Sequence, residues 1–260
     1  MGNPGTDRTF TENFPPPPHH TYIARIARIV ALGIPHHVTQ RGNARQVIFE
    51  TDGDRQTYLD LLRQNCQRQS LSLVGYFLMS NHVHLIVIPH RVAALALTLQ
   101  EAHGRFATYF NATRAVSGHV WQGRYFSCPL DTAHLWAALR YTELNPLRAR
   151  MVEAPDAWRW SSARAHSLTD HADSALDMNA WSAAWDPVTW RDFLNIESDS
   201  AELDAIRRST YTGRPLGDKG FVSDLERQLH RRLAPQKGGR PAKPVKDQTQ
   251  ATFPFAADSE

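Results

Sequence analysis

Read as alternating apolar and polar positions, the chain first becomes regular at His36-His37-Val38-Thr39-Gln40-Arg41-Gly42, a short strand ended by Gly42-Asn43. Val47-Ile48-Phe49 reads as a second, very short strand or β-extension. From Asp52 to Gln69 the spacing turns helical: Tyr58, Leu61, Leu62 and Cys66 share a stripe, and Asp52 or Asp54 serves as the cap. Leu71 to Met79 and His82 to Ile88 are apolar enough for core strands. Val92 to Thr113 predicts a long helix with Leu95, Leu99, Phe106 and Phe110 facing inward. His119 to Pro129 is a fourth strand or extended loop, and Asp131 or Thr132 opens a third helix that runs to Pro146. Strand, helix, strand, strand, helix, strand is the order of a ferredoxin-like split βαβ unit, an α+β fold with an antiparallel sheet. Its helices are expected on one face, leaving the other free for a substrate.

Past Trp158-Arg159-Trp160-Ser161-Ser162 the periodicity weakens. The chain then divides into a disordered leader (1–20, with Pro15 to Pro18), the α+β domain (21–168) and an irregular linker (169–200). A basic extension (201–236) with short helices near Ala201 to Thr210 and Phe221 to Leu233 follows, then a disordered Pro-, Gly- and Lys-rich tail (237–260). A hydrophobic content of 42% supports a real core. No apolar run approaches the roughly 18 residues of a membrane span, and the leader has no apolar core of a secretory signal. Two cysteines, Cys66 and Cys128, are too few for a disulfide framework or a Cys-rich zinc site, so a cytoplasmic protein is expected. The net charge of +3 hides an asymmetry: between Ala205 and Lys246 eleven Lys and Arg face three acids, which suggests a polyanionic partner.

The candidate chemistry starts at His82-Val83-His84. On a strand, residues i and i+2 share a face, so both imidazoles project side by side. Neutral imidazole is a common ligand for divalent metals, although a buried pair of hydrogen-bonded histidines has the same pattern. The third helix lines up His134, Ala137, Ala138, Tyr141 and Asn145 on one stripe. Tyr141 reads as a core tyrosine or a nucleophile. Asn145, preceding Pro146, is suited to cap a following helix, to ligate a metal, or to do both.

These motifs, taken in order, resemble the REP-associated tyrosine transposases, a single-tyrosine branch of the HUH (His-hydrophobic-His) family. The resemblance rests on His37-Val38-Thr39-Gln40-Arg41-Gly42-Asn43, His82-Val83-His84, Gly118-His119-Val120-Trp121-Gln122-Gly123-Arg124, Arg140-Tyr141-Thr142-Glu143-Leu144-Asn145-Pro146 and Trp160-Ser161-Ser162. It covers about residues 22 to 168, with Ser80 standing where the family usually has proline. It implies that His82, His84 and Asn145 hold Mg²⁺ or Mn²⁺. Tyr141 would attack a phosphate of single-stranded DNA, leaving a free 3′-OH and a 5′-phosphotyrosine that a later 3′-OH resolves. A phenol with its ordinary pKa near 10 needs help at the phosphate. The covalent intermediate conserves the bond energy, and the chain has no Walker-type loop for ATP.

The family's substrates are palindromic hairpins beside a short recognition sequence. Arg41, Arg45, Trp121, Gln122 and Arg124 are the candidate contacts to such single-stranded or hairpin DNA. In the tail, Lys237-Gly238-Gly239-Arg240-Pro241-Ala242-Lys243 resembles an AT-hook, and Gly213-Arg214-Pro215 repeats its tripeptide, so Arg214 and Arg240 join the list. A monomer associated with the nucleoid is the implied state. Two other readings stand beside it: a hairpin-binding regulator that does not cleave, and a metal-dependent hydrolase using water. The hydrolase needs further ligands, and the chain contains neither His-Glu-x-x-His nor Cys-x-x-Cys.

Overall fold

The computed structural model describes residues 27–234; the leader 1–20 and the tail 237–260 lie outside the described residues. Strands β1 (His36–Arg41), β2 (Leu71–Leu78), β3 (His82–Pro89) and β4 (Phe126–Pro129) form one antiparallel sheet in the order β2-β3-β1-β4. Helices α1 (Asp52–Gln69) and α2 (Ala94–Arg114) connect them, which gives the split βαβ arrangement of an α+β fold. Thr51, not an aspartate, caps α1: its hydroxyl accepts the Asp54 amide while Asp54 accepts the Thr51 amide.

Alternation along the strands gives the sheet two different faces. Val38, Val83, Leu85 and Val87 turn toward α1 and α2, where Tyr58, Leu62, Leu95, Leu99 and Phe106 complete the main core. His37, Thr39 and Arg41 of β1 lie directly opposite Ile86, His84 and His82 of β3, so these six share the other face. That face is covered, contrary to the sequence-based expectation. Helix α3 (Thr132–Glu143) and helix α8 (Ser200–Thr212) pack on it through Leu135, Ala138, Leu139 and Ile206, burying Val74, Ile86 and Cys128. Apolar side chains on both faces of the strands demand two layers of cover. A bulge between Leu73 and Gly75 assists, because Gly75 then lies under α3. A β-carbon there would fall 2.1 Å from Leu139 Cδ1, so only glycine lets the helix come this close.

Three local expectations change. Of residues 119–129, expected as a strand or an extended loop, only Phe126–Pro129 is a regular strand, with an isolated bridge joining Trp121 to Gly42. Val47-Ile48-Phe49 is not a strand, since the amides of Ile48 and Phe49 both donate to the Ser80 carbonyl. Residues 169–200 are not irregular throughout. They contain α6 (Asn179–Ser182) and α7 (Pro187–Asn195), whose Trp181, Trp190 and Leu194 are buried against the α3 side. Before them, Trp160-Ser161-Ser162 pairs with the outer edge of β2 and leads into α5 (Ala163–Ser167). After α8, α9 (Lys219–Leu229) packs with Ile29 and Leu233 in a small separate cluster. Among the described residues no helix is long and apolar enough to cross a membrane.

Candidate active site

The face under α3 and α8 brings the sequence-predicted chemistry together. His82 and His84 rings lie 5.1 Å apart on β3. The Tyr141 ring, reaching down from α3, is 5.8 Å from His84 and 5.9 Å from His37. All of these side chains are buried, Tyr141 to 1% exposure. Alanines at 137 and 138 beneath the tyrosine let α3 sit close enough for the phenol to meet the sheet.

Helix α3 stops at Glu143, and the chain continues as α4 (Asn145–Arg148) with Pro146 in its first turn. Carbonyls of a terminal turn lack helical partners, and Arg148 folds back to serve them. Its Nη2 donates to the Tyr141 carbonyl and, at 2.7 Å, to Asn145 Oδ1. Its guanidinium carbon is 4.4 Å from the Tyr141 ring centre, and that of Arg207 from α8 is 5.6 Å away. Asn145 is therefore beside the tyrosine as expected, with its amide oxygen held by Arg148.

Burial sets the charge of the imidazoles. It pushes His37 and His82 down to about 3, the Arg41 charge adding to the effect at His82. His84 lies well below the usual histidine range through burial and then the neighbouring imidazoles and arginines. All three are neutral at pH 7, the form that binds metal. Asn81 fixes the tautomer of His82: its amide nitrogen donates to the Arg45 carbonyl, so its oxygen accepts His82 Nδ1–H at 2.6 Å. The lone pair then belongs to His82 Nε2, which is buried and has no hydrogen-bond partner among the described residues. Such an orphaned acceptor fits a divalent cation. Among the described residues no three His, Cys, Asp or Glu side chains converge as a metal cage; His82 and His84 are the neighbouring imidazoles on this face, and the Asn145 amide oxygen is bonded to Arg148.

The predicted DNA contacts divide. Arg41 lies opposite His82 in register, and Arg45, Gln122 and Arg124 are exposed on adjoining loops joined by the Gln122 amide to the Arg41 carbonyl. Trp121 is instead half-buried, stacked on His103 at 4.4 Å with its indole N–H on the His103 carbonyl. Arg214 donates to the Leu233 carbonyl beside the α8 terminus, where Gly213 takes the left-handed cap conformation, and is not brought to the site. Arg240 is outside the described residues.

Several site residues were not anticipated. His37 joins His84 by a 3.0 Å hydrogen bond, and Thr210 of α8 meets the other nitrogen of His37 at 2.7 Å. The period-two face His37, Thr39, Arg41 was a usable signal for the first; nothing in the sequence points to Thr210, 173 residues away. Phe126, opposite Thr39 in the next strand, stacks at 5.2 Å on Tyr211, which is 41% exposed. One aromatic pair thus ends the row Phe77, His84, Thr39, Phe126 at the solvent edge.

Comparison with known proteins gives one family: residues 32–145 match the model of the IS200-like transposases. A REP-associated tyrosine transposase solved with a REP hairpin is similar in structure, with 17% identity, 60% of this chain and 96% of that one covered, and a TM-score of 0.48. A protein assigned as a transposase in Deinococcus radiodurans R1 is similar over 49% of this chain and 92% of its own, at 17% identity and a TM-score of 0.32. No curated protein sequence matches.

Proposed function

We propose, for a chain that belongs to the IS200-like transposases, that it nicks and rejoins single-stranded DNA beside palindromic hairpins of the REP type through a tyrosine-linked intermediate. The observation that carries this reading is the Tyr141 ring within 5.8 Å of His84 on the His82–His84 face. A divalent cation, Mg²⁺ or Mn²⁺, held by His82, His84 and Asn145 would polarise the scissile phosphate and offset the charge that builds on its oxygens. The Tyr141 oxygen attacks phosphorus in line and the 3′-oxygen leaves, so a 5′-phosphotyrosine replaces the phosphodiester. Arg148 and Arg207, the two guanidinium groups near the ring, counter negative charge on the attacking oxygen and on the phosphate.

Arg41, Arg45, Gln122 and Arg124 are suited to hold neighbouring phosphates on the His82 side. At the other end of the row, the exposed face of Tyr211 offers a base a stacking surface. Strands in a sheet are about 4.8 Å apart, so Phe126 sits roughly 10 Å from His84, within two or three nucleotides of the scissile phosphate. Because α8 covers the imidazoles, strand entry requires that helix to give way. The reading includes a monomer, each copy holding its own tyrosine and histidines.

The test is a labelled hairpin oligonucleotide with Mn²⁺, followed by a denaturing gel. The expected result is a protein–DNA adduct that disappears in Tyr141→Phe. Cleavage that survives Tyr141→Phe would mean that water is the nucleophile. Binding with no cleavage of any hairpin from the flanking DNA would make the protein a regulator.

A further inference from the structure

Thr210 and His37 connect α8 to a strand histidine in a line: Ile206 carbonyl, Thr210 Oγ1, His37 Nδ1, His37 Nε2, His84 Nδ1. Each link carries one proton, and the protons can be counted. A threonine hydroxyl has a single hydrogen. Thr210 sits one helical turn after Ile206, and its oxygen is 2.8 Å from the Ile206 carbonyl, which can only accept. The Thr210 hydrogen is therefore spent on that carbonyl, and toward His37 the oxygen accepts. Its third neighbour, Cys128 Sγ at 3.4 Å, has a thiol hydrogen to give and does not alter the count.

His37 Nδ1 must then carry the hydrogen of a neutral imidazole, which leaves His37 Nε2 as an acceptor. Across the 3.0 Å contact, His84 Nδ1 is the donor. The lone pair of His84 is thereby assigned to Nε2. His82 reaches the same tautomer by a separate route, through Asn81. Were the relay reversed, with Thr210 donating to His37, His84 Nε2 would carry a hydrogen and repel a cation.

We infer that Thr210, on a helix beyond the segment that matches the family model, is a positioning residue that sets the His84 tautomer through His37 and so completes the pair of cation-facing nitrogens. The cation part of this inference rests on the proposed function; the tautomer part does not. Outer partners of this kind change metal affinity by about 10- to 100-fold when removed.

The experiment uses the full chain with ¹⁵N-labelled histidine, without metal, at neutral pH. Long-range proton–nitrogen correlation reads which ring nitrogen of His82 and His84 is protonated in wild type, Thr210→Val and Thr210→Ser. Mn²⁺ titration followed by electron paramagnetic resonance reads affinity on the same samples. Wild type should show the Nδ1–H form at both histidines. Thr210→Val should lose it at His84 alone and bind Mn²⁺ about 10- to 100-fold more weakly, and Thr210→Ser should restore both. An Nε2–H form of His84 in wild type overturns the inference without any variant, which covers the case of Thr210→Val failing to fold. An unchanged His84 signal and unchanged affinity in folded Thr210→Val also overturns it. If wild type binds no Mn²⁺, the cation role in the proposed function falls, while the nitrogen spectra still decide the relay.

Discussion

Glu143, the last residue of α3, offers the sharpest test of how the tyrosine helix is held. Its carboxylate is fully buried and accepts three side-chain hydrogen bonds: Ser162 Oγ at 2.6 Å, His166 Nδ1 at 2.5 Å and Trp190 Nε1 at 2.8 Å. The donors come from the β2 edge segment, α5 and α7, so one side chain ties the tyrosine helix to three later parts of the chain. Glu143→Ala leaves the His166 and Trp190 donors without an acceptor in a dry interior, while the Ser162 hydroxyl keeps the Tyr76 carbonyl at 3.3 Å. Each buried group left unmade costs about 1–3 kcal/mol, and even at the low end of that range the two orphaned donors and the cavity together cost about 3–4 kcal/mol. Against a total stability of about 5–15 kcal/mol this is a large share. For a domain of this size it corresponds to a fall in Tm of roughly 6–16 °C. Trp190→Phe removes one donor and should cost about 1–3 kcal/mol. Because both act in one network, the double variant Glu143→Ala/Trp190→Phe should fall short of additivity by about 1–2 kcal/mol. Urea unfolding followed by circular dichroism measures all three. A Glu143→Ala variant within about 1 kcal/mol of wild type, or strict additivity, would refute a network whose worth depends on every partner being present.

Other outcomes follow from the same structure. His36 is held down to about 4, and His37, His82 and His103 to about 3, chiefly by burial. Unfolding lets each take up a proton below its ordinary value, so the stability is complete above about pH 6.5 and lost as pH falls, near 1.4 kcal/mol per unit for each. Acid titration should therefore unfold the protein near pH 5; a fold intact below pH 4 would contradict it. Tyr211→Ala should weaken binding of single-stranded DNA by about 1–2 kcal/mol, or roughly five- to thirtyfold, with the fold intact. Equal affinity in a fluorescence anisotropy titration would remove the aromatic stack from the strand path. Deleting the residues after Ala234 removes Lys237, Arg240, Lys243 and Lys246. If these meet phosphates, the slope of log affinity against log salt should flatten by up to about 3. Truncation near residue 200 is not an equivalent test, because it also takes away Ile206 and Thr210 from the buried face.

Much of the fold was legible because its signals are local. The stripe of Tyr58, Leu62 and Cys66 is a property of consecutive turns, and the alternation around His82 and His84 is a property of one strand. Both are read without knowing what packs on them. Val47-Ile48-Phe49 misleads for the converse reason. Ile48 and Phe49 do enter the core, but their amides converge on one carbonyl, and composition carries no information about where amides point. The Leu73–Gly75 bulge is equally silent: a glycine amid apolar residues signals a weak strand until Leu139 is seen above it. In residues 169–200, Trp181, Trp185 and Trp190 do not follow one helical stripe, since they belong to α6, the turn after it and α7, and the first two meet the ring of Trp190, whose indole reaches Glu143.

The chemical site divides along the same line. His82, His84, Tyr141 and Asn145 are legible as candidates because each lies inside a short motif with its own periodicity. Asn81 and Arg148, which hold His82 and Asn145, are close in sequence, whereas His37 and Thr210, which reach His84, come from far away. A buried pair of neutral imidazoles on a sheet is held in one orientation and one tautomer by the groups packed against it. It cannot be sealed by apolar side chains alone, because each ring has two nitrogens to satisfy. The covering helix must therefore be apolar along most of its face and polar at one point. Helix α8 has that character: Ile206 is buried in the apolar cluster, and Thr210, one turn on, presents a single hydroxyl to His37. That requirement follows from hydrogen-bond accounting and not from any local pattern. It explains why a basic extension, read from its charge as a DNA-binding appendage, contributes an internal wall of the site.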